Sequence, residues 1–150
     1  MKKIILTFLT ISICLICSSD FYGLTGRNYL SADCIFPTFA SEYKNSKAVF
    51  IGEVINIEKD GDKKIVEFKV KKYWKGIEDS KIKIIVYENF TFVSPYDKGE
   101  THLVFAKDNE EGGLWDDKCS RSKDLNGTSS DLEDDLKSLG KGKTCISLEN

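Results

Sequence analysis

Residues 48–74 read AVFIGEVINIEKDGDKKIVEFKVKKYW, and this stretch decides the fold. Its first part, 48–58, is a strongly β-branched apolar run, and KDGD at 59–62 is a turn signal typical of a hairpin. The part that follows, 64–74, alternates apolar and charged residues with the period of a half-buried strand. The stretch therefore predicts a pair of antiparallel strands, with a bulge or a close backbone contact at Gly52.

Four other segments extend this prediction of secondary structure. Three of them carry strand-like apolar patterns, namely KIKIIVYE at 81–88, THLVFAK at 101–107 and the short LWD at 114–116. Ahead of the hairpin, TFASEYKNSKA at 38–48 predicts a short helix, because Phe39 and Tyr43 lie four residues apart on one helical face.

In the segment SSDLEDDLKSL, residues 129–139, the apolar residues recur with the period of a helix and no longer with that of a strand. Its leucines fall at positions i, i+4 and i+7, and Ser130 and Glu133 have the spacing of a capping box. We therefore expect a helix over residues 131–139.

These elements predict a mainly β fold, a small antiparallel barrel of five strands with a short N-terminal helix and a C-terminal helix. A β-sandwich would need about seven strands, and no βαβ alternation is visible. Trp74 and Trp115 are expected to close the two ends of the barrel.

The N-terminus, MKK followed by the apolar run 4–17 and then SSD, predicts a secretory signal peptide over residues 1–19. A retained membrane anchor is the alternative, but the run is short for a spanning helix. Residues 20–33 then form an N-terminal tail, and 140–150 form a flexible C-terminal tail. We expect a secreted, periplasmic or cell-surface protein.

The formal net charge of the chain is −2, and its lysines are scattered among carboxylates. This balance is typical of a solvated surface, and it does not predict a nucleic-acid partner, whose binding would rest on clustered cations. Once the signal peptide is removed, no stable insertion in a membrane is expected.

Cleavage after Ser19 would leave three cysteines, Cys34, Cys119 and Cys145. An odd number allows at most one intramolecular bridge, and the remaining thiol is either free or paired with another molecule. Outside the cytosol the oxidised form is favoured.

Cys119 lies in WDDKCSRSKDL, where neighbouring cations could lower the pKa of a thiol and make it a nucleophile. A catalytic role is disfavoured because His102, the only histidine, lies in an apolar strand pattern. Zinc is also disfavoured, since the three remaining cysteines are widely separated and, with His102, show neither a CxxC nor an HxxxH spacing. A disulfide is the favoured interpretation, and no metal or cofactor is expected.

Several segments, in their order along the chain, resemble the netrin-like domain, and specifically the bacterial secreted proteins grouped with the tissue inhibitors of metalloproteinases. The segments are DCIFPTF (33–39), SKAVFIGEV (46–54), FKVKKYWKG (68–76), KGETHLVFA (98–106) and KCSRSKDL (118–125). The resemblance covers residues 34–139 and implies an oligonucleotide/oligosaccharide-binding (OB) type Greek-key barrel of five strands with flanking helices.

The resemblance also implies a disulfide between Cys34 and Cys119, which would leave Cys145 as the unpaired thiol. Arg121 would then pair with an acidic neighbour such as Asp116 or Asp117.

The chain departs from the pattern of that family at two cysteines. Members usually begin with a CxC pair, but Ala32 stands at its first position, and the partner expected near Val93 or Ser94 is missing too. In the animal inhibitors, the α-amino group of an N-terminal cysteine chelates the protease zinc. Cys34 lies well beyond Ser19, so this chelation is disfavoured unless further processing removes residues 20–33.

We therefore expect a secreted, non-enzymatic binding module that contacts an envelope or extracellular protein, or a matrix partner, through barrel-end loops or a lysine-bearing face. The alternative is a metalloprotease inhibitor of the tissue-inhibitor type, which requires Cys34 as the N-terminus. Cys145 could also link two chains into a dimer.

An enzyme is a third hypothesis, for which the only candidates are the adjacent carboxylates Asp116 with Asp117 and Asp134 with Asp135. Such pairs are more often part of a solvated loop or helix face. Several aromatic residues could form a stacking platform for bases or sugars, although packing in the core or at the barrel ends is favoured. They are Tyr73, Trp74, Tyr87, Phe90 and Phe92.

Overall fold

The structure is a computed structural model, and it describes residues 34–88, 95–110 and 112–145. All of the described residues belong to one compact unit. The predicted signal peptide 1–19 and tail 20–33 lie outside the described residues, as do Phe90, Phe92, Val93 and Ser94.

Two helices and six strands make up the described part of the chain. In chain order they are α1 (Phe39–Asn45), β1 (Ala48–Asp60), β2 (Lys63–Lys75), β3 (Lys81–Tyr87), β4 (Thr101–Asp108), β5 (Leu114–Asp116), β6 (Lys123–Asp124) and α2 (Asp131–Leu139). The predicted helix 131–139 is confirmed, and the helix predicted within 38–48 is confirmed in its central part. β6, which pairs with β4, was not predicted.

Five strands close into a barrel in the order β1, β2, β3, β5, β4, with β4 pairing back onto β1. β3 and β5 run parallel, while the other pairings are antiparallel. The predicted closed, mainly β barrel is therefore confirmed, but the prediction that it is antiparallel throughout is wrong at β3–β5. Between β3 and β5 the chain runs back along β4, so β5 begins at the same end of the barrel as β3. Sequence periodicity does not reveal the direction of a strand.

The barrel core is apolar and comes from alternate residues of the strands. Its largest buried members are Phe50, Phe68, Ile84 and Tyr96. The ring centroids of Phe68 and Tyr96 lie 5.2 Å apart, in an edge-to-face contact. Tyr96 thus fills the barrel from the segment between β3 and β4, outside any strand.

A second apolar cluster lies outside the barrel, where the helices cover β1 and β4. Val49, Leu103 and Phe105 point to it from the strands, and Phe39 and Leu132 reach it from α1 and α2. β4 is consequently buried on both faces. Because the barrel and this outer cluster share β4 and the first part of β1, those segments are covered by protein on both sides.

Gly52 lies where the register of β1 against β2 shifts, since Ile51 faces Lys72 while Gly52 faces Val70. A Cβ atom at this position would approach Phe50 and Phe68 to 3.0 Å. The predicted irregularity is confirmed, and the backbone of Gly52 packs closely on the ring of Phe50 and the Cβ of Phe68.

Three finer predictions are wrong. Trp74 packs in the outer cluster and donates to Gly140 O at 3.1 Å, so it does not close a barrel end. Trp115 lies between the inward-facing Leu114 and Asp116 and therefore on the outer surface of β5. Ser130 makes no side-chain capping bond to the backbone of α2, so the capping box is not formed.

The C-terminal segment that was predicted to be flexible returns to the barrel in its first part. Tyr73 and Lys143 exchange two backbone hydrogen bonds of 2.8 Å, and Cys145 is packed in part against the barrel core. Residues 146–150 lie outside the described residues.

Candidate functional site

The segment ahead of α1 is attached to the barrel by a disulfide between Cys34 and Cys119, whose Cα atoms lie 5.1 Å apart. This is the pairing that the family resemblance implies. The two cysteines are separated by 85 positions in sequence. The bond therefore ties the start of the described chain to the loop 117–122, between β5 and β6.

Arg121 provides a second attachment for the same segment. Its Nη1 donates to Pro37 O at 3.1 Å, and its Nη2 donates to Asp135 Oδ1 on α2 at 2.7 Å. Its Nε also contacts the Asp135 carboxylate at 3.1 Å. The Arg121 and Asp135 side chains are largely buried, so this paired contact is shielded from water and strong. The prediction that Arg121 pairs with Asp116 or Asp117 is wrong.

Between these two attachments lie Ile35 and Phe36, which together are called the ridge below. Ile35 is 93% exposed and Phe36 is 63% exposed, and they are the large apolar side chains that stand out to solvent in the described part of the chain. Apolar groups exposed so fully, on a segment fixed at both ends, are typical of a contact surface. The ridge was not singled out in the sequence, although the order Cys, two large apolar residues and Pro immediately before a helix was visible.

Charged residues hold the loop beneath the ridge. Lys107 on β4 contacts Asp117 Oδ2 at 2.9 Å and Glu42 Oε1 on α1 at 3.5 Å. Asp117 Oδ1 in turn accepts the backbone N–H of Cys119 at 2.7 Å. Burial raises the pKa of Glu42, and Lys107 acts in the opposite direction. The disulfide loop is thus joined to both α1 and β4.

A buried polar cluster lies on the inner side of this loop. The Tyr96 hydroxyl donates to Asp116, and both side chains are enclosed in the barrel. Burial raises the pKa of Asp116 to about 6, although hydroxyls of Ser120, Tyr96 and Ser122 lower it in part. This carboxylate is only 4% exposed, so it supports the loop from within the barrel.

The structure separates the carboxylates that were candidates for catalysis. Asp116 points into the barrel, whereas Asp117 pairs with Lys107 outside it. Asp135 is buried against Arg121, while Asp134 next to it is exposed. Neither adjacent pair shares a face, so neither forms a two-carboxylate site.

The other candidate residues also have structural partners. His102 is buried, with its Nε2 3.0 Å from Glu100 Oε2, and Cys119 is in the disulfide, so the two do not form a nucleophile pair. Cys145 is the free cysteine of the described chain and is half-buried, with its Sγ 3.8 Å from Asp79 O. Burial raises the pKa of its thiol.

Two further findings concern only the described residues. Within that part of the chain, no three His, Cys, Asp or Glu side chains are grouped so that they could hold a metal ion. Across residues 34–88, 95–110 and 112–145, no helix has the length and apolar character needed to cross a bilayer.

No protein-family model matches this chain, and no curated protein matches it. The resemblance to the netrin-like domain therefore stays a prediction. The site is accordingly defined by geometry alone, as an exposed apolar ridge fixed by a disulfide on one side and by a buried arginine on the other.

Proposed function

We propose that this chain is a secreted, non-enzymatic binding module of the netrin-like class, with an OB-type Greek-key barrel. Three observations support the class. The strand order closes from β4 onto β1, the matching motifs occur in one order along the chain, and Cys34 is bonded to Cys119. A disulfide is also the form that cysteines take outside the cytosol, in agreement with the signal-like N-terminus.

The ridge is the contact element of this module, and its exposure is the observation that carries the proposal. Burying one large apolar side chain in a partner contributes about 1.5–3 kcal/mol. Ile35 and Phe36 together could therefore supply roughly 3–6 kcal/mol before the entropic cost of association. The partner that fits is an extracellular or envelope protein with an apolar pocket for two adjacent side chains.

Fixing the ridge at both ends lowers the cost of binding. The backbone of a free peptide would lose conformational entropy on docking, at a free-energy cost of about 1–2 kcal/mol per residue. Here the Cys34 disulfide and the Arg121 bond to Pro37 O have already removed much of that freedom during folding. Such preorganisation increases affinity without any added contact.

Inhibition of a metalloprotease remains the alternative, and it depends on the mature N-terminus. A free α-amino group at Cys34 would stand directly beside the ridge, and the inhibitors that the motifs resemble chelate the protease zinc with such a group. Intact mass and N-terminal mapping of the protein secreted by its host decide this point. A chain that begins near Asp20 supports the binding module, and one that begins at Cys34 together with inhibition of a zinc endopeptidase supports the alternative.

The ridge is tested by site-specific photo-crosslinking. A photoreactive residue at position 36 is compared with the same residue at position 128, which lies in an exposed loop ahead of α2. After incubation with the host extracellular and envelope fractions, we expect one partner to be crosslinked from position 36 and not from position 128.

Competition supplies the control. Unlabelled wild type should suppress the crosslink, and the double variant Ile35→Ser/Phe36→Ser should suppress it at least about tenfold less well, the factor that corresponds to about 1.4 kcal/mol. Equal crosslinking from both positions, or equal competition by the double variant, would contradict a role for the ridge.

A further inference from the structure

The outer surface of β2 and β3 forms a second exposed face, built from residues other than the ridge. Val66, Phe68, Ile84 and Val86 point into the barrel, so the residues between them point outward. Outward residues of β2 face outward residues of β3 as direct cross-strand neighbours. The pairs are Lys63 with Tyr87, Ile65 with Ile85, Glu67 with Lys83, and Lys69 with Lys81.

This face, called the lysine face below, is cationic on a chain whose net charge is −2. Its charged members are four lysines and one glutamate. Lys69, Lys81 and Lys83 are exposed, and none of them lies within ion-pair distance of an acidic side chain of the described chain. Glu53 on β1 lies opposite Lys69, and Glu67 lies opposite Lys83, so two acidic groups offset part of the charge and the face keeps a net positive charge.

Lys69 and Lys81 are placed unfavourably for stability. Hydrogen-bonded and non-hydrogen-bonded pairs alternate along an antiparallel ladder, and Val70 N donates to Ser80 O. Lys69 and Lys81, one position further along each strand, therefore form a non-hydrogen-bonded pair, in which the side chains lie close together. Like charges directly opposite each other are destabilising. The pair closes the β2–β3 ladder, at the end where β3 begins.

The other end of the face is apolar and aromatic. Ile65, Ile85 and Trp115 lie in one row across β2, β3 and β5. Tyr87 meets Trp115 edge to face, with ring centroids 6.3 Å apart, and Lys63 Nζ lies 5.3 Å from the centroid of the Tyr87 ring. From Lys81 to Tyr87 the strand extends for about 20 Å, at about 3.3 Å per residue.

We propose that the lysine face binds an anionic polysaccharide, which lies along β3 with its acidic groups at Lys69, Lys81 and Lys83 and a sugar ring against the aromatic row. A linear polysaccharide supplies both chemistries, because its rings have apolar C–H faces and its carboxylate or sulfate groups recur along the chain. This inference goes beyond the proposed function and does not depend on the ridge.

The arrangement of charge favours a polysaccharide over two other polyanions. A nucleic acid carries a phosphate on each nucleotide and needs cations along its whole length. Here the exposed cations are concentrated at one end, and Glu67 lies among them. An acidic peptide would meet the lysines equally well, but it offers no flat apolar face to the aromatic row.

The test is affinity electrophoresis of the full chain in native gels that contain alginate, a polyuronate. We expect alginate to retard the protein and neutral dextran to leave its mobility unchanged. Retardation should decline as sodium chloride is added, because the contacts are ionic. A variant with Trp74→Phe keeps Trp115 as its tryptophan, and alginate should change its emission while dextran does not.

Two double variants with the same change in net charge distinguish binding at the lysine face from a general attraction between alginate and the charge of the whole protein. Lys69→Ser/Lys81→Ser removes the opposed pair, and Lys98→Ser/Lys141→Ser removes two exposed lysines elsewhere. The first should weaken alginate binding about tenfold, as expected for the loss of two exposed ionic contacts, and the second should leave it unchanged. The first should also melt at about the same temperature as wild type, because the repulsion between Lys69 and Lys81 and the attraction of Lys69 to Glu53 are lost together, so a loss of binding will not reflect unfolding.

Three results would overturn the proposal. One is the absence of any retardation by alginate at low salt. Another is equal weakening by the two double variants, which would mean that only net charge matters. The last is retardation by poly-glutamate as strong as that by alginate, which would assign the face to an acidic protein.

Discussion

Replacing Asp116 by asparagine should make the fold more stable at neutral pH and less sensitive to pH. Asp116 is buried in the barrel, where its carboxylate accepts the Tyr96 hydroxyl. Burial raises its pKa from 3.8 to about 6. The folded protein therefore binds a proton more readily than the unfolded chain does, and the charged form at pH 7 opposes folding. Asparagine has nearly the same shape, can still accept from Tyr96 and carries no charge.

The size of the effect follows from the shift in pKa. Each unit corresponds to about 1.4 kcal/mol, so a shift of about two units means that the charged Asp116 costs about 3 kcal/mol at pH 7. The sign is set by proton uptake on folding: wild-type stability should rise as the pH falls through the folded pKa of about 6 toward the unfolded value of 3.8. Between about pH 7 and pH 4.5 the Asp116 contribution amounts to about 2 kcal/mol.

Urea denaturation of the disulfide-bonded protein at several pH values measures this effect. Asp116→Asn should be more stable than wild type at pH 7, and its advantage should shrink by about 2 kcal/mol by pH 4.5. Asp134→Asn, which removes an exposed carboxylate from α2, should show no such pH-dependent difference. The pKa of Glu42 is also raised by burial, but its contribution is common to all three proteins and cancels in the comparison. A constant difference between Asp116→Asn and wild type across this range would refute the reasoning.

Three substitutions elsewhere have effects set by the same structure. Replacing both Cys34 and Cys119 by serine opens a loop of 85 positions and should lower the free energy of unfolding by about 4 kcal/mol, as measured by calorimetry, with non-reduced wild type as the reference. Arg121→Ala leaves the buried Asp135 carboxylate with the weaker contact of Lys123 at 3.5 Å and should cost about 3 kcal/mol in urea denaturation; a loss below about 1 kcal/mol would mean that the pair is exposed in solution. Gly76→Ala places a Cβ against the backbone oxygen of Lys47 at a φ of 62° and should cost at least about 2 kcal/mol, whereas Gly61→Ala, at a similar φ in open space, should cost less.

The strands and helices could be predicted from the sequence because their patterns are local. Inward residues such as Val66 and Phe68 alternate with outward lysines, and the leucines of α2 recur with the helical period. Each pattern depends only on neighbours within a few residues. β6 escaped prediction because two residues are too few to carry any period.

The candidate site was less predictable, because its parts come together only through tertiary contacts. Cys34 and Cys119 could be proposed as partners by resemblance to known proteins, but nothing local shows that Arg121 reaches both Pro37 and Asp135. The exposure of Ile35 and Phe36 was also hidden, since a segment without periodicity does not reveal which of its apolar residues are covered.

By itself, the sequence determined which segments are strands or helices and which faces they bury, because alternation and helical spacing record contacts between near neighbours. Only the tertiary structure decided that β3 and β5 run parallel, that Tyr96 and Asp116 meet inside the barrel, and that the ridge stands in solvent between two attachments. The physical reason is that these features depend on which distant segments barrel closure brings together. The free energy of barrel closure comes from contacts between residues far apart in sequence, so it cannot be inferred from the pattern of any one short segment.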